Sequence, residues 1–282
     1  MSVQTLPEHI CKSCGHTFFG LYCNVCGEKV IEPKDRKFST FLNTVLIATT
    51  VLDNKFLKSL WLIIKNPGFL SKEYVNGRRI KYMRPLQVFF ILNLIYFLFP
   101  VLQMFSATLQ TQLHVLPRAW IQPVMIDKIN REDMNLRSFE MIYDTKTTEL
   151  AKLLIVIFIV LGSVPLSLIF SKKNRFFTDH VALSVELTSF NLAVNAILLN
   201  IIFAILNKGL NTISWGLDYL NETTITVIFV CTNLYFIFNA AQTFYEQKGR
   251  RLVLKAMIGI LGLFIALEAY RLILFFITIW SM

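Results

Sequence analysis

Apolar positions along the 282-residue chain fall into two regimes, long uninterrupted blocks from Leu86 onward and shorter, periodic clusters before it. Five blocks reach the length of about 20 apolar residues that one helical membrane crossing needs. They are Leu86–Phe105, Leu150–Phe170, Val181–Leu206, Thr223–Phe244 and Leu252–Trp280. The last is longer than one untilted crossing, which puts its first turn in the interface. Upstream, Phe41, Leu42, Val45, Leu46, Leu52, Phe56, Leu57, Leu60, Trp61 and Ile64 recur at helical spacing, but Asp53, Lys55, Lys58 and Lys65 interrupt every window long enough to span. This predicts an interfacial or packed amphipathic helix pair, broken at Asn66-Pro67-Gly68. A polar loop, 106–149, follows the first block and has room for short helices outside the membrane.

The chain thus divides into a cysteine-rich segment at 1–30, a polar linker at 31–37, amphipathic helices and a basic turn at 38–84, and a transmembrane domain at 85–282. The expected fold class is an all-α polytopic membrane protein of about five transmembrane helices with a small N-terminal zinc ribbon. Composition agrees: 55% of residues are hydrophobic and 16% charged, against roughly 25% charged in soluble domains. Mean hydropathy of +0.55 excludes a disordered chain. The net charge of +10 does not imply nucleic acid, because its distribution follows the alternating loops. Twenty of the 28 Lys and Arg precede Pro85 or lie in the loops around Arg175 and Arg250, and seven lie on the other side. Positive loops stay inside, so the N-terminus is expected in the cytoplasm and, after five crossings, the C-terminus in the periplasm of a bacterial inner membrane. Nothing at the N-terminus has the apolar core of a secretory signal.

Four of the five cysteines, Cys11, Cys14, Cys23 and Cys26, form two Cys-x-x-Cys pairs, each followed by glycine. Each pair can wrap one side of a tetrahedral ion, and the glycine supplies the backbone turn that aims N–H groups at the sulfurs. Two disulfides would need an oxidising compartment, which the expected topology denies. One structural Zn²⁺ is the expected cofactor, although four thiolates also suit iron. His9 and His16 are not needed.

Between Arg78 and Arg84, four cations (Arg78, Arg79, Lys81, Arg84) precede the first apolar block. They serve as the positive-inside signal or, with Tyr74 and Tyr82 at headgroup depth, as an anionic-lipid or phosphate-binding turn. The sequence Tyr22-Cys23-x-x-Cys26-Gly27-Glu28, then Asn66-Pro67-Gly68, Lys72-Glu73-Tyr74, Asn76-Gly77-Arg78-Arg79, Tyr82 and Pro85 resembles an uncharacterised family of bacterial membrane proteins, common in Bacteroidota, with an N-terminal zinc ribbon. The likeness covers roughly residues 11 to 100. It implies the topology, the zinc and a bacterial inner membrane, and carries over no catalytic residues.

Charges inside a span are costly and mark structure or function. Glu268 and Arg271, three apart on one helix, can neutralise each other or form a substrate or proton site. Glu186 has no following cation on its own face. Ser184, Thr188, Asn191 and Asn195 extend it into a polar stripe, and the next span offers Thr232, Asn239 and Thr243. Such stripes bond helices together or line a path. Hydrolase and phosphate-loop motifs are missing from the sequence, and Asp179-His180 are adjacent and face apart, so no enzyme is expected. The leading expectation is a scaffold, assembly or regulatory factor whose ribbon docks a protein partner, with Phe18, Phe19, Leu21 and Tyr22 at its tip; a homo-oligomer is the other expected partner. The alternative is a small permease or lipid-handling protein using the Glu186–Asn191 stripe.

Overall fold

The computed structural model describes residues 8–11, 14–26, 54–78, 81–98, 105, 108–170, 175–199, 201–202 and 222–282. The expected linker at 31–37, all of 38–53 and Arg79 lie outside them. The chain divides into two compact units, Met1–Asn54 and Lys55–Met282.

In the first unit, strands β1 (Glu8–Ile10) and β2 (Thr17–Phe19) pair antiparallel with His9 opposite Phe18. Alternation along β2 turns Phe18 inward, where it packs with Cys11 and Cys23, and leaves Phe19 outside.

The second unit is helical. Helix α1 covers residues 54–65 and α2 Phe69–Val75; α3 follows at Pro85–Leu98. Next come α4 (Leu109–Val115), α5 (Arg118–Arg131) and α6 (Leu136–Ile169). Helix α7 (Phe177–Phe190) continues into a wider i→i+5 helix over Asn191–Leu198, and α8 (Glu222–Thr243) and α9 (Arg251–Ser281) complete the bundle.

Among the described residues, four helices are long and apolar enough to cross a membrane: Leu136–Ile169, Phe177–Leu198, Thr226–Thr243 and Arg251–Ser281. The first expected block appears as the 14-residue α3, about 21 Å at 1.5 Å per residue; residues 99–104, the rest of that block apart from Phe105, are not described. The expected 106–149 loop is largely helical. Asn135 caps α6 by accepting from the Ser138 N–H at 2.8 Å, so the helix begins 14 residues before the apolar block and reaches about 51 Å. That overhang, with α4, α5 and the end of α9, encloses its own apolar core around Ile121, Phe139, Tyr143 and Phe275. The Asp144 carboxylate holds α4 onto the overhang by accepting from the Leu109 N–H at 2.8 Å.

The larger core lies between α3, α6, α7, α8 and α9. Helix α7 is the central element, with most of its side chains enclosed, whereas α6, α8 and α9 keep broad apolar faces outward. Small residues permit close approach: a methyl added at Gly262 would lie 2.5 Å from Pro165 Cβ.

Candidate functional site

Two places concentrate the side chains that chemistry would use, the cysteine cluster and a polar seam running down α7. In the cluster, Gly15 has φ +72° and its N–H donates to the Cys11 carbonyl at 2.9 Å, closing the first knuckle. Cys11 Sγ lies 3.4 Å from Cys26 Sγ, and Cys14 Sγ lies 3.7 Å from Cys23 Sγ. All four sulfurs fall within 4.8 Å of one another, and none is joined in a disulfide. A tetrahedral ion with 2.3 Å metal–sulfur bonds sets sulfurs about 3.8 Å apart, so the cluster fits one. Backbone N–H groups of Cys26, then of Val25, pull the Cys23 thiol down to about 7, favouring the thiolate a metal requires.

The seam begins at the turn between α1 and α2. Gly68 has φ +82°, and a Cβ there would lie 3.0 Å from the Ala240 Cα, so only glycine lets the turn sit against α8. No side chain of the turn caps α2. The cap comes instead from Glu186 of α7, fully enclosed, whose Oε1 accepts from the Gly68 N–H at 2.8 Å and whose Oε2 accepts from the Ser71 N–H at 2.7 Å. A helix N-terminus favours an anion. The Ser71 hydroxyl donates to the Ala182 carbonyl at 3.0 Å, making the attachment two-sided. From α8, the Tyr235 hydroxyl donates to the Ile64 carbonyl at 3.0 Å and the Thr243 hydroxyl to Asn66 Oδ1 at 2.9 Å. The sequence shows no cation partner for Glu186, and its partners are backbone donors of a segment 115 to 118 residues away.

One turn further along α7, Asn191 and Asn233 form a reciprocal amide pair with N···O distances of 3.0 and 2.9 Å. Asn195 donates to Asn191 Oδ1 at 2.7 Å, and Thr232 donates to Asn195 Oδ1 at 3.0 Å. Thr188 and Ser184 bond backbone carbonyls of their own and the neighbouring helix. The stripe is therefore a packed helix contact. Among the described residues, Asn239 bonds its own helix through the Tyr235 carbonyl.

Sequence reasoning missed Asn233, Tyr235 and Tyr245. Asn233 is adjacent to Thr232 and shares its contact with the Asn191–Asn195 stretch, where the helix widens to i→i+5 bonding. Tyr245, buried between Phe170 and His180, meets His180 Nδ1 at 2.6 Å; burial pushes its hydroxyl above the usual phenol range. His180 thus pairs across the fold, while Asp179 accepts from the Phe176 N–H at 3.1 Å at the start of α7. Glu268 and Arg271 meet at 2.9 Å, as their spacing predicts, but Glu268 Oε2 and Arg271 Nε remain buried and unbonded. In the basic turn, Arg78 pairs with Glu73 at 2.6 Å, and Lys81 and Arg84 are exposed.

Fold and seam together define an all-α polytopic membrane protein with a small cysteine-cluster ribbon. Residues 53–97 match the family described as "Protein of unknown function (DUF3667)". The match contains α1, the Asn66-Pro67-Gly68 turn, α2, the basic turn and most of α3, and so includes the turn that Glu186, Tyr235 and Thr243 bond. Neither the curated proteins nor the solved structures contain a match to the chain.

Proposed function

We propose that this is a non-enzymatic scaffold, assembly or regulatory protein of the bacterial inner membrane, whose cytoplasmic zinc ribbon docks a protein partner. The observation that carries the reading is the exterior of the ribbon. Ile10, Phe19, Leu21, Tyr22 and Val25 are 50–73% exposed, while among the described residues Cys11, Phe18 and Cys23 fill its interior. A metal-stapled unit this small does not bury these side chains itself, and aromatic and aliphatic anchors of this kind are what a partner's apolar pocket takes up. The four thiolates hold Zn²⁺, which supplies the folding energy that the minute core lacks. The permease reading has less support, because Glu186, Asn191 and Asn195 are enclosed and bonded to protein groups.

Photocrosslinking in native membranes tests the docking. A crosslinker replacing Tyr22 should give one discrete adduct that disappears with Phe19→Ser and Leu21→Ser while metal content is retained. A crosslinker at His16 should not give it. No adduct at Tyr22, or the same adduct from both positions, would reject the proposal.

A further inference from the structure

We propose that the end of the bundle where α3 begins binds the phosphate of an anionic phospholipid headgroup through Lys58, Lys81 and Arg84, gathered around the ring of Tyr82. The site is assembled by a buried contact: the Ser59 hydroxyl, fully enclosed in α1, accepts from the Met83 N–H at 3.0 Å and fastens the basic turn to α1. This brings Lys58 Nζ to 5.5 Å and Lys81 Nζ to 5.7 Å from the centroid of the same tyrosine ring. Phe69 holds that ring edge-on at 5.6 Å. Arg84 closes a narrow crevice with Tyr74, Tyr82, Met83 and the paired Glu73 and Arg78, so its guanidinium stands on the same side of the turn.

Charge pairing separates these cations from their neighbours. Arg78 is bound by Glu73 and Lys72 by Glu246, whereas no ion pair among the described residues involves Lys58, Lys81 or Arg84. Ammonium groups brought to one ring repel each other, and an anion between them reverses the sign of that interaction. Two features favour a lipid phosphate. Leu57 and Trp61, four apart on α1, are 61% and 60% exposed, and Lys65 lies 5.9 Å from the Trp61 ring; an apolar pair with tryptophan and flanking lysines suits the interface between headgroups and acyl chains. The apolar surface of α3 also starts at Pro85, one residue after Arg84, so the cations stand at headgroup depth.

Native mass spectrometry of the full chain in neutral detergent tests the site, with phosphatidylglycerol and phosphatidylethanolamine of matched acyl chains as probes. Phosphatidylglycerol should bind in preference. Lys58→Gln, Lys81→Gln and Arg84→Gln should each weaken it roughly fivefold, the effect of one cation near a charged headgroup, and leave phosphatidylethanolamine unchanged. The charge-preserving Lys58→Arg/Lys81→Arg variant should bind as the parent does, and the Lys248→Gln/Arg250→Gln/Arg251→Gln variant, which removes three exposed charges elsewhere, should change binding less than about twofold. Unchanged binding by the single Gln variants would overturn the proposal. So would equal loss in the Lys248/Arg250/Arg251 variant, which would mean diffuse attraction, or displacement of the lipid by excess inorganic phosphate, which would mean a free-phosphate site.

Discussion

Replacing Glu186 with glutamine preserves its shape and removes one thing the structure uses, a second acceptor oxygen. The carboxylate receives the Gly68 and Ser71 N–H groups on separate oxygens. Glutamine keeps one bond and turns an NH₂ toward the other donor, so one hydrogen bond to a charged group is lost and one enclosed N–H is stranded. Hydrogen bonds to charged groups contribute about 1.5–3 kcal/mol, and a stranded buried donor costs about 1–3 kcal/mol. Relief from burying a carboxylate works in the opposite direction, so a net loss of about 2 kcal/mol is expected for Glu186→Gln. Glu186→Ala removes both bonds and leaves a void, and should cost more, about 3–5 kcal/mol by analogy with large-to-small core changes. At roughly 2–4 °C per kcal/mol for chains of this size, the glutamine variant should melt about 4–8 °C lower in detergent. The loss should be local as well, with faster hydrogen exchange at residues 68–75 than in α6. A glutamine variant that melts with the parent and protects α2 equally would show that Glu186 does not hold the turn, and the polar stripe would then merit renewed attention as a path.

Freshly purified protein should carry one zinc per chain, read by metal analysis; less than half an equivalent together with intact disulfides would reject the zinc assignment. A reporter after Met282 should be periplasmic and one near Asn130 reachable from outside, as the Lys and Arg distribution predicts; a cytoplasmic C-terminus would mean an even number of crossings. Asn191→Leu alone strands Asn195 and Asn233 and should destabilise by about 1–3 kcal/mol, while Asn191→Leu/Asn233→Leu should recover part of the loss in the same melting assay. Glu268→Gln or Arg271→Met should each lower melting temperature and membrane yield, and the double change should recover part of it, because an uncompensated buried charge costs more than an apolar replacement of the pair; additive losses would give each residue a partner of its own.

Much of this architecture was legible because it depends on local signals. Block length places α6, α8 and α9 to within a few residues at their apolar ends, and the three-residue spacing of Glu268 and Arg271 determines their pairing. The start of α6 was not legible: Leu136–Glu149 is polar because one side faces outward, while Phe139, Tyr143 and Thr147, four apart, face α9. A hydropathy window averages that stripe away; a search for i, i+4 periodicity would have found it. Glu186 was visible as a residue and opaque as a role, since backbone donors leave no trace in residue types. The available clue was Asn66-Pro67-Gly68, a glycine before a helix that lacks a capping side chain of its own.

The placement of these polar groups has a consequence for what the membrane domain can do. In an apolar surrounding, every buried donor and acceptor needs a protein partner, and along α7 the partners come from two directions. Asn191 and Asn195 join α7 to α8 in the middle of the bundle, while Glu186 and the Ala182 carbonyl join α7 to the α1–α2 turn. Tyr235 and Thr243 then tie α8 to that same turn. The three elements form a closed triangle, so moving α7 away from the other two strands Glu186 on one side and Asn191, Asn195 and Asn233 on the other, all of them enclosed. A path through the seam would have to break several of these bonds at once, and those of Glu186, Asn191 and Asn233 would leave enclosed groups behind. These bonds fix the α1–α2 turn against α7 and α8, at the end of the bundle where the Lys58–Tyr82–Lys81 cluster lies.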